Sequence, residues 1–168
     1  MTTLQGLFGG AIVADIPPRF RDISEFRQVE DNQEVFADVG SDQSIVIEIL
    51  QYVNEPSNED AVRYHFKSLA YDNDAEDFNN ILQITELATS DVPHLPTDTP
   101  KYLLIGQQQI TKFNESDPSS RNLVTIFMAL FRFPNITTDI VVTSNIPIAI
   151  GATSSSRLVS REGNANEG

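Results

Sequence analysis

Carboxylates dominate the reactive side chains of this 168-residue chain, with 24 Asp and Glu against 11 Lys and Arg and two His. The stretch "VEDNQEVFADVGSDQSIVIEILQY", residues 29–52, holds Glu30, Asp31, Glu34, Asp38, Asp42 and Glu48. No Lys or Arg occurs from position 28 to position 62. Such uncompensated charge suits a solvated surface, a metal site, an acid–base pair or a dock for a basic partner. Two carboxylates can run hydrolysis, but among 24 acids some proximity arises by chance. "DNQEV" lacks the length and the glycine of a calcium loop. With no Cys and no paired His, a zinc site and thiolate chemistry are disfavoured. His65, beside Phe66, reads as a partly buried structural histidine, and His94, in the proline-bounded "DVPHLPTD", as a solvated one. Gly9 and Gly10 precede a strand and are followed by no Lys-Ser/Thr pair, so they are no phosphate-binding loop. No nucleophile elbow supports a Ser/His/Asp set. The expectation is a protein without metal or cofactor that binds rather than catalyses.

Glu48 sits mid-strand between Val46 and Leu50, where an acid is expensive without a partner or a surface. Two readings stand. It pairs with an Arg or lies on an uncovered part of the sheet, or it is set on a rigid strand to meet a basic partner. Asp31, Glu34 and Asp42 on neighbouring segments favour the second.

The elements that must position these residues follow from pattern. "AIVADI" reads as a first strand, opened by glycines and closed by Pro17 and Pro18. "DISEFR" suits one helical turn capped by Asp22. "QEVFADV" alternates Val35, Ala37 and Val39 against Glu34, Phe36 and Asp38, a half-exposed strand. "SIVIEIL" is apolar on both faces, hence central. "PSNEDAVRYHFKSLA" is the clearest helix, capped by Ser57, with Val62, Phe66 and Leu69 as its buried stripe. "ILQITELA", "KYLLIGQQQITKF", "NLVTIFMALFRF" and "IVVTSNIPI" read as strands joined by turns, which implies mainly antiparallel pairing. One domain over residues 1–150 is expected, and the small, polar, nonperiodic residues 151–168 read as a disordered tail.

The formal net charge of −13 and pI near 4.3 disfavour nucleic acid and anionic membranes and favour basic partners. No apolar run approaches the ~18 residues of a membrane span, and the first residues lack a signal-peptide pattern. The reading is a soluble cytosolic or nuclear monomer.

"LFGGAI" (7–12), "DISEFRQVEDNQEVF" (22–36), "DQSIVIEIL" (42–50) and "RYHF" (63–66) resemble the Ran guanine nucleotide release factor family, the Mog-type nuclear import factors. The resemblance covers residues 7–150 and is strongest over 22–66. It implies an α+β fold, an antiparallel sheet with helices on both faces, similar to the photosystem subunit PsbP. It also implies binding to the small GTPase Ran, promotion of nucleotide release, and residence in nucleus and cytoplasm. The family's strand motif carries an acid at the Glu48 position and usually a second one three residues later, where this chain has Gln51. Family members usually continue into an amphipathic C-terminal helix; this chain has the polar stretch instead, which would leave one sheet face under-covered. In this picture Asp31, Glu34, Asp42 and Glu48 supply charge complementarity to Ran, Phe36 an apolar contact, and Gln51 a further position on the strand. Asn32, Gln33 and Gln43 shape turns more often than they bind. The rival readings are an acidic adaptor for other basic or membrane-protein segments without release activity, and a small acid–base enzyme. A PsbP-like structural subunit is disfavoured by the lack of a targeting sequence.

Overall fold

The computed structural model describes residues 1–110 and 121–149. The expected tail lies outside them. A hairpin of β1 (Thr3–Leu7) and β2 (Ile12–Ile16) opens the chain. Then come β3 (Arg21–Asp22), β4 (Gln33–Asp38), β5 (Gln43–Gln51), α1 (Asn58–Asp72), β6 (Asn79–Glu86), β7 (Lys101–Ile110), β8 (Asn122–Phe133) and β9 (Thr138–Ala149). The last seven strands form one antiparallel sheet in the order β3-β4-β5-β9-β8-β7-β6. The expected central strands, β5 and β8, are interior. The expected α+β architecture, mainly antiparallel, is the one observed.

α1 forms where its start signals lie. The Ser57 hydroxyl accepts the Asp60 N–H at 3.1 Å, and Glu59 and Asp60 complement the positive helix start. Its face of Ala61, Val62 and Phe66 packs on Leu104, Val124, Ile126, Met128, Leu130 and Val141 of the sheet. Close approach is set by Gly106, where a Cβ would lie 2.7 Å from the Phe66 ring and 2.9 Å from the Asn80 carbonyl oxygen.

The opposite face differs from expectation. Among the described residues its cover is the β1–β2 hairpin rather than a helix. Leu7 and Ile16 pack there with Phe20, Phe36 and Ile47. β1 escaped the sequence reading because "TTLQGL" carries no β-branched apolar alternation. The hairpin turn depends on left-handed backbone at Phe8, Gly9 and Gly10 (φ 51°, 69° and 93°). Along β8 every residue facing α1 is buried and every residue facing away is half-buried. Phe127, Phe131, Leu103 and Ile105 on β8 and β7 are therefore left partly open.

β4 is not the half-exposed strand its alternation suggests. Val35 and Phe36 point to opposite faces and both are buried, while the other four residues of the strand are half-buried. Gly106→Ala is expected to lower stability by about 1–3 kcal/mol, since the new methyl meets an aromatic ring and a backbone carbonyl; urea denaturation checks it.

Candidate functional site

Cross-strand register decides which acids meet. Gln33 stands opposite Glu48, Glu34 opposite Ile47, and Phe36 opposite Ile45. Paired residues share a face, so Glu48 lies on the α1 side, whereas Glu34, Phe36 and Gln51 lie on the hairpin side. Six residues of strand, roughly 20 Å, separate Asp42 from Glu48. The six expected contact residues therefore do not form one cluster.

The structure brings Asp31 and Gln33, at the outer side of β4, next to Glu48 on β5, one strand further in. Asn32 extends the β4–β5 ladder: its carbonyl accepts the Ile49 N–H at 2.9 Å, and its amide donates to the Ile49 carbonyl at 3.2 Å. That fixes exposed Asp31 beside the end of β5. Gln33 Nε2 donates to Glu48 Oε2 at 3.1 Å. Glu48 is half-buried, and no Lys or Arg pairs with it among the described residues. Among the described residues Glu48 is thus held by an amide rather than by an Arg; Asn32 stands in the turn before β4, whereas Gln33 lies within the strand as the cross-strand partner of Glu48.

Other acids of the run have structural partners. Glu34 Oε1 accepts the Phe8 N–H at 2.7 Å, tying β4 to the hairpin turn. Asp38 accepts from Arg19 at 2.9 Å, and Arg19 also donates to Gln43 at 3.2 Å. The Ser41 hydroxyl at 2.6 Å, then Arg19 and the Gly40 N–H, hold the Asp38 carboxyl below the usual range despite partial burial. Asp42 sits in the β4–β5 turn at φ 57°. Phe36, expected as an apolar contact for a partner, is 3% exposed and belongs to the core. Alternation alone placed it with Glu34 and Asp38 on an open face; the hairpin that covers that face is a nonlocal contact.

A second polar cluster lies inside the fold. Asp139 on β9 is fully buried and accepts from Arg132 Nε at 2.9 Å and His65 Nε2 at 2.9 Å, and the Val53 N–H reaches it at 3.2 Å. Arg132, also buried, donates to Asn58 at 3.0 Å and to the Val53 carbonyl, and stacks on the Tyr52 ring at 3.8 Å. Burial alone would push the Asp139 carboxyl up; the hydrogen bonds from His65, Arg132 and Val53 outweigh it and hold the pKa below the usual value. His65 is thus the structural histidine its position suggested. The cluster has a sequence signal that alternation does not use: an Arg inside the apolar "LFRF" and an Asp seven residues on, across a tight turn. Among the described residues no three His, Cys, Asp or Glu come together as a metal site, and no helix is long and apolar enough to cross a membrane.

With this geometry in place, comparison with known proteins is specific. The family described as "Ran-interacting Mog1 protein" matches residues 5–147. The chain belongs to this family. It is 41% identical over 151 residues to the probable Ran guanine nucleotide release factor of Dictyostelium discoideum, covering 89% of this chain and 76% of that protein. It is 42% identical to the Ran guanine nucleotide release factor of Danio rerio, covering 89% and 81%. The crystal structure of the Saccharomyces cerevisiae Ran-binding protein Mog1p superposes with a TM-score of 0.69 at 24% identity, covering 98% of this chain and 83% of that one. That likeness establishes the Mog1 fold for this sheet.

Two outcomes are expected. Glu48→Ala removes one partly exposed hydrogen bond and should change stability by no more than about 1 kcal/mol, as thermal melts will read. Asp139→Asn should cost about 3 kcal/mol at pH 7, because it leaves the buried Arg132 guanidinium unbalanced. The depressed Asp139 pKa stabilises the fold fully above the unfolded carboxyl pKa of about 3.9 and loses that contribution as pH falls through the folded value. The acid limb below about pH 4 should therefore flatten in the variant, as acid titration followed by circular dichroism will show.

Proposed function

We propose that this protein binds Ran through the sheet edge around Asp31 and Glu48 and promotes release of its guanine nucleotide, in support of nuclear protein import. The observation that carries the reading is an acidic edge without a basic partner among the described residues, in a chain of the Ran-interacting Mog1 family. Relatives named Ran guanine nucleotide release factor and nuclear import protein support it. The protein acts by binding, without bond chemistry, in nucleus and cytoplasm.

The physics is linkage. A GTPase holds its nucleotide through Lys, backbone amides and Mg2+ around the phosphates. Emptying the site leaves those positive groups poorly paired. A carboxylate surface docked nearby stabilises the empty state, and nucleotide must then weaken docking by the same factor. Asp31 and Glu48 supply the close charges. Glu34, with one oxygen held by Phe8, and Asp42, at the far turn, add to the field. Gln51, exposed at the end of β5 on the other face, reaches the partner from the strand terminus.

Release of a fluorescent nucleotide from Ran, measured at varied protein concentration, tests the reading. Release that rises with concentration is the expected result. Binding without acceleration would convert the protein into an acidic adaptor. Glu48→Ala should weaken Ran binding by about 2 kcal/mol with the fold intact. Association should slow as salt rises, because exposed charges are screened over ~8 Å at physiological ionic strength; a salt-independent on-rate would rule out steering by this edge.

A further inference from the structure

We propose that Phe26 is the apolar anchor of this same surface, seated in an apolar pocket of the GTPase bordered by basic residues. The inference rests on the Ran-binding reading and names the contact that charge alone cannot supply.

Phe26 is 67% exposed, the most open Phe among the described residues. Phe78, the next, lies under the Arg121 guanidinium at 4.3 Å. Phe26 has no such cover: neither a ring nor a guanidinium stacks on it among the described residues. Single exposed apolar side chains are common, so exposure alone decides nothing. Two further observations do.

The first is presentation. The Asp22 carboxylate accepts the Ser24 N–H at 2.8 Å, and the Ile23 carbonyl accepts both the Phe26 N–H at 2.9 Å and the Arg27 N–H at 3.0 Å. The turn Ile23–Glu25 is thereby closed directly before the ring. An aromatic group on a pinned backbone loses little freedom on docking.

The second is position. The loop that carries Phe26 begins at Asp22, opposite Phe36 on β4, and ends at Asn32, bonded to Ile49 of β5. Its two ends are thus separated by four residues of β4, roughly 13 Å. The loop that carries Phe26 therefore runs along the outer side of β4, where Asp31 and Gln33 stand with Glu48 one strand further in, and Glu25 and Glu30 share that loop. An apolar centre with a charged rim is the arrangement in which interface hot spots form: the anchor fills a pocket and its rim excludes water. The complementary partner surface is a hydrophobic hollow ringed by Lys or Arg.

Equilibrium binding to purified Ran, the rate of nucleotide release and thermal melts on the full chain test the proposal. Phe26→Ala should weaken binding roughly thirtyfold at an unchanged melting temperature and an unchanged salt dependence. Phe26→Leu should recover most of that loss. Glu48→Ala, by contrast, should weaken binding and flatten the salt dependence. Tyr71→Ala, equally open at 66% but near the C-terminal end of α1, should bind as the parent does. Phe26→Ala binding within twofold of the parent, while Glu48→Ala is impaired, would overturn the anchor and leave the acidic site standing. If the parent chain itself failed to bind Ran, both readings would fall together.

Discussion

A single buried carboxylate fixes the relation between the helix and the sheet. Asp139 is fully buried and would be costly as an isolated charge; it is retained because Arg132, His65 and the Val53 amide all point at it. Those groups come from β8, α1 and the β5–α1 connection. Arg132 then reaches Asn58 at the start of α1 and the Val53 carbonyl, and stacks on Tyr52. The segment that leaves β5 is thus held at both its amide and its carbonyl. The end of the strand carrying Glu48 and Gln51 inherits that rigidity, so the acidic edge is presented on fixed backbone.

The segment that most resembles the family turns out to be largely internal wiring. In "DNQEVF", Asn32 continues the β4–β5 ladder, Gln33 holds Glu48, Glu34 holds the Phe8 amide of "LFGG", and Phe36 packs with Leu7 of the same segment. The motif joins the hairpin to the strand pair, and Asp31 is left as its outward-facing acid. Sequence similarity in such a stretch reports on assembly of the site as much as on contact with a partner. The acids of one run thereby acquire different duties from their partners: Asp38 pairs with Arg19, Glu34 caps a turn, and Asp31 and Glu48 have no ion-pair partner among the described residues.

What the sequence made legible was local or periodic. Ser57 and the Val62, Phe66, Leu69 spacing located α1, Asp22 located the capped turn, and two-sided apolarity located β5 and β8 in the sheet interior. What it hid was nonlocal. β1 gains its strand character from pairing with β2 across a left-handed turn, not from its own composition. Phe36 is internal because the hairpin that buries it lies some twenty residues upstream, and no pattern within β4 encodes it. The Arg132–Asp139 pair was the exception that pattern reading passed over: position 132 and position 139 are equidistant from one tight turn, so register alone brings them together.

Charge and register together constrain how the edge can work. Glu48 and Gln51 are three residues apart on a regular strand, so they face opposite sides of the sheet. A partner that touches both must wrap the end of β5 rather than lie flat on either face. The core under α1 reaches one of those faces at Leu50, and the core under the hairpin reaches the other at Ile45 and Ile47. The accessible approach is therefore along the edge of the sheet, over the loop that links β3 to β4 and the end of β5. Such an approach favours a partner with a protruding basic element or a hollow that receives the edge. In the proposed reading, negative charge at the lip of that contact acts before docking as well as after it: it raises the encounter rate with a positively charged site and then opposes return of the anionic nucleotide. The same carboxylates that steer the partner can in this way bias its empty state, with no group on this protein needing to enter the nucleotide pocket.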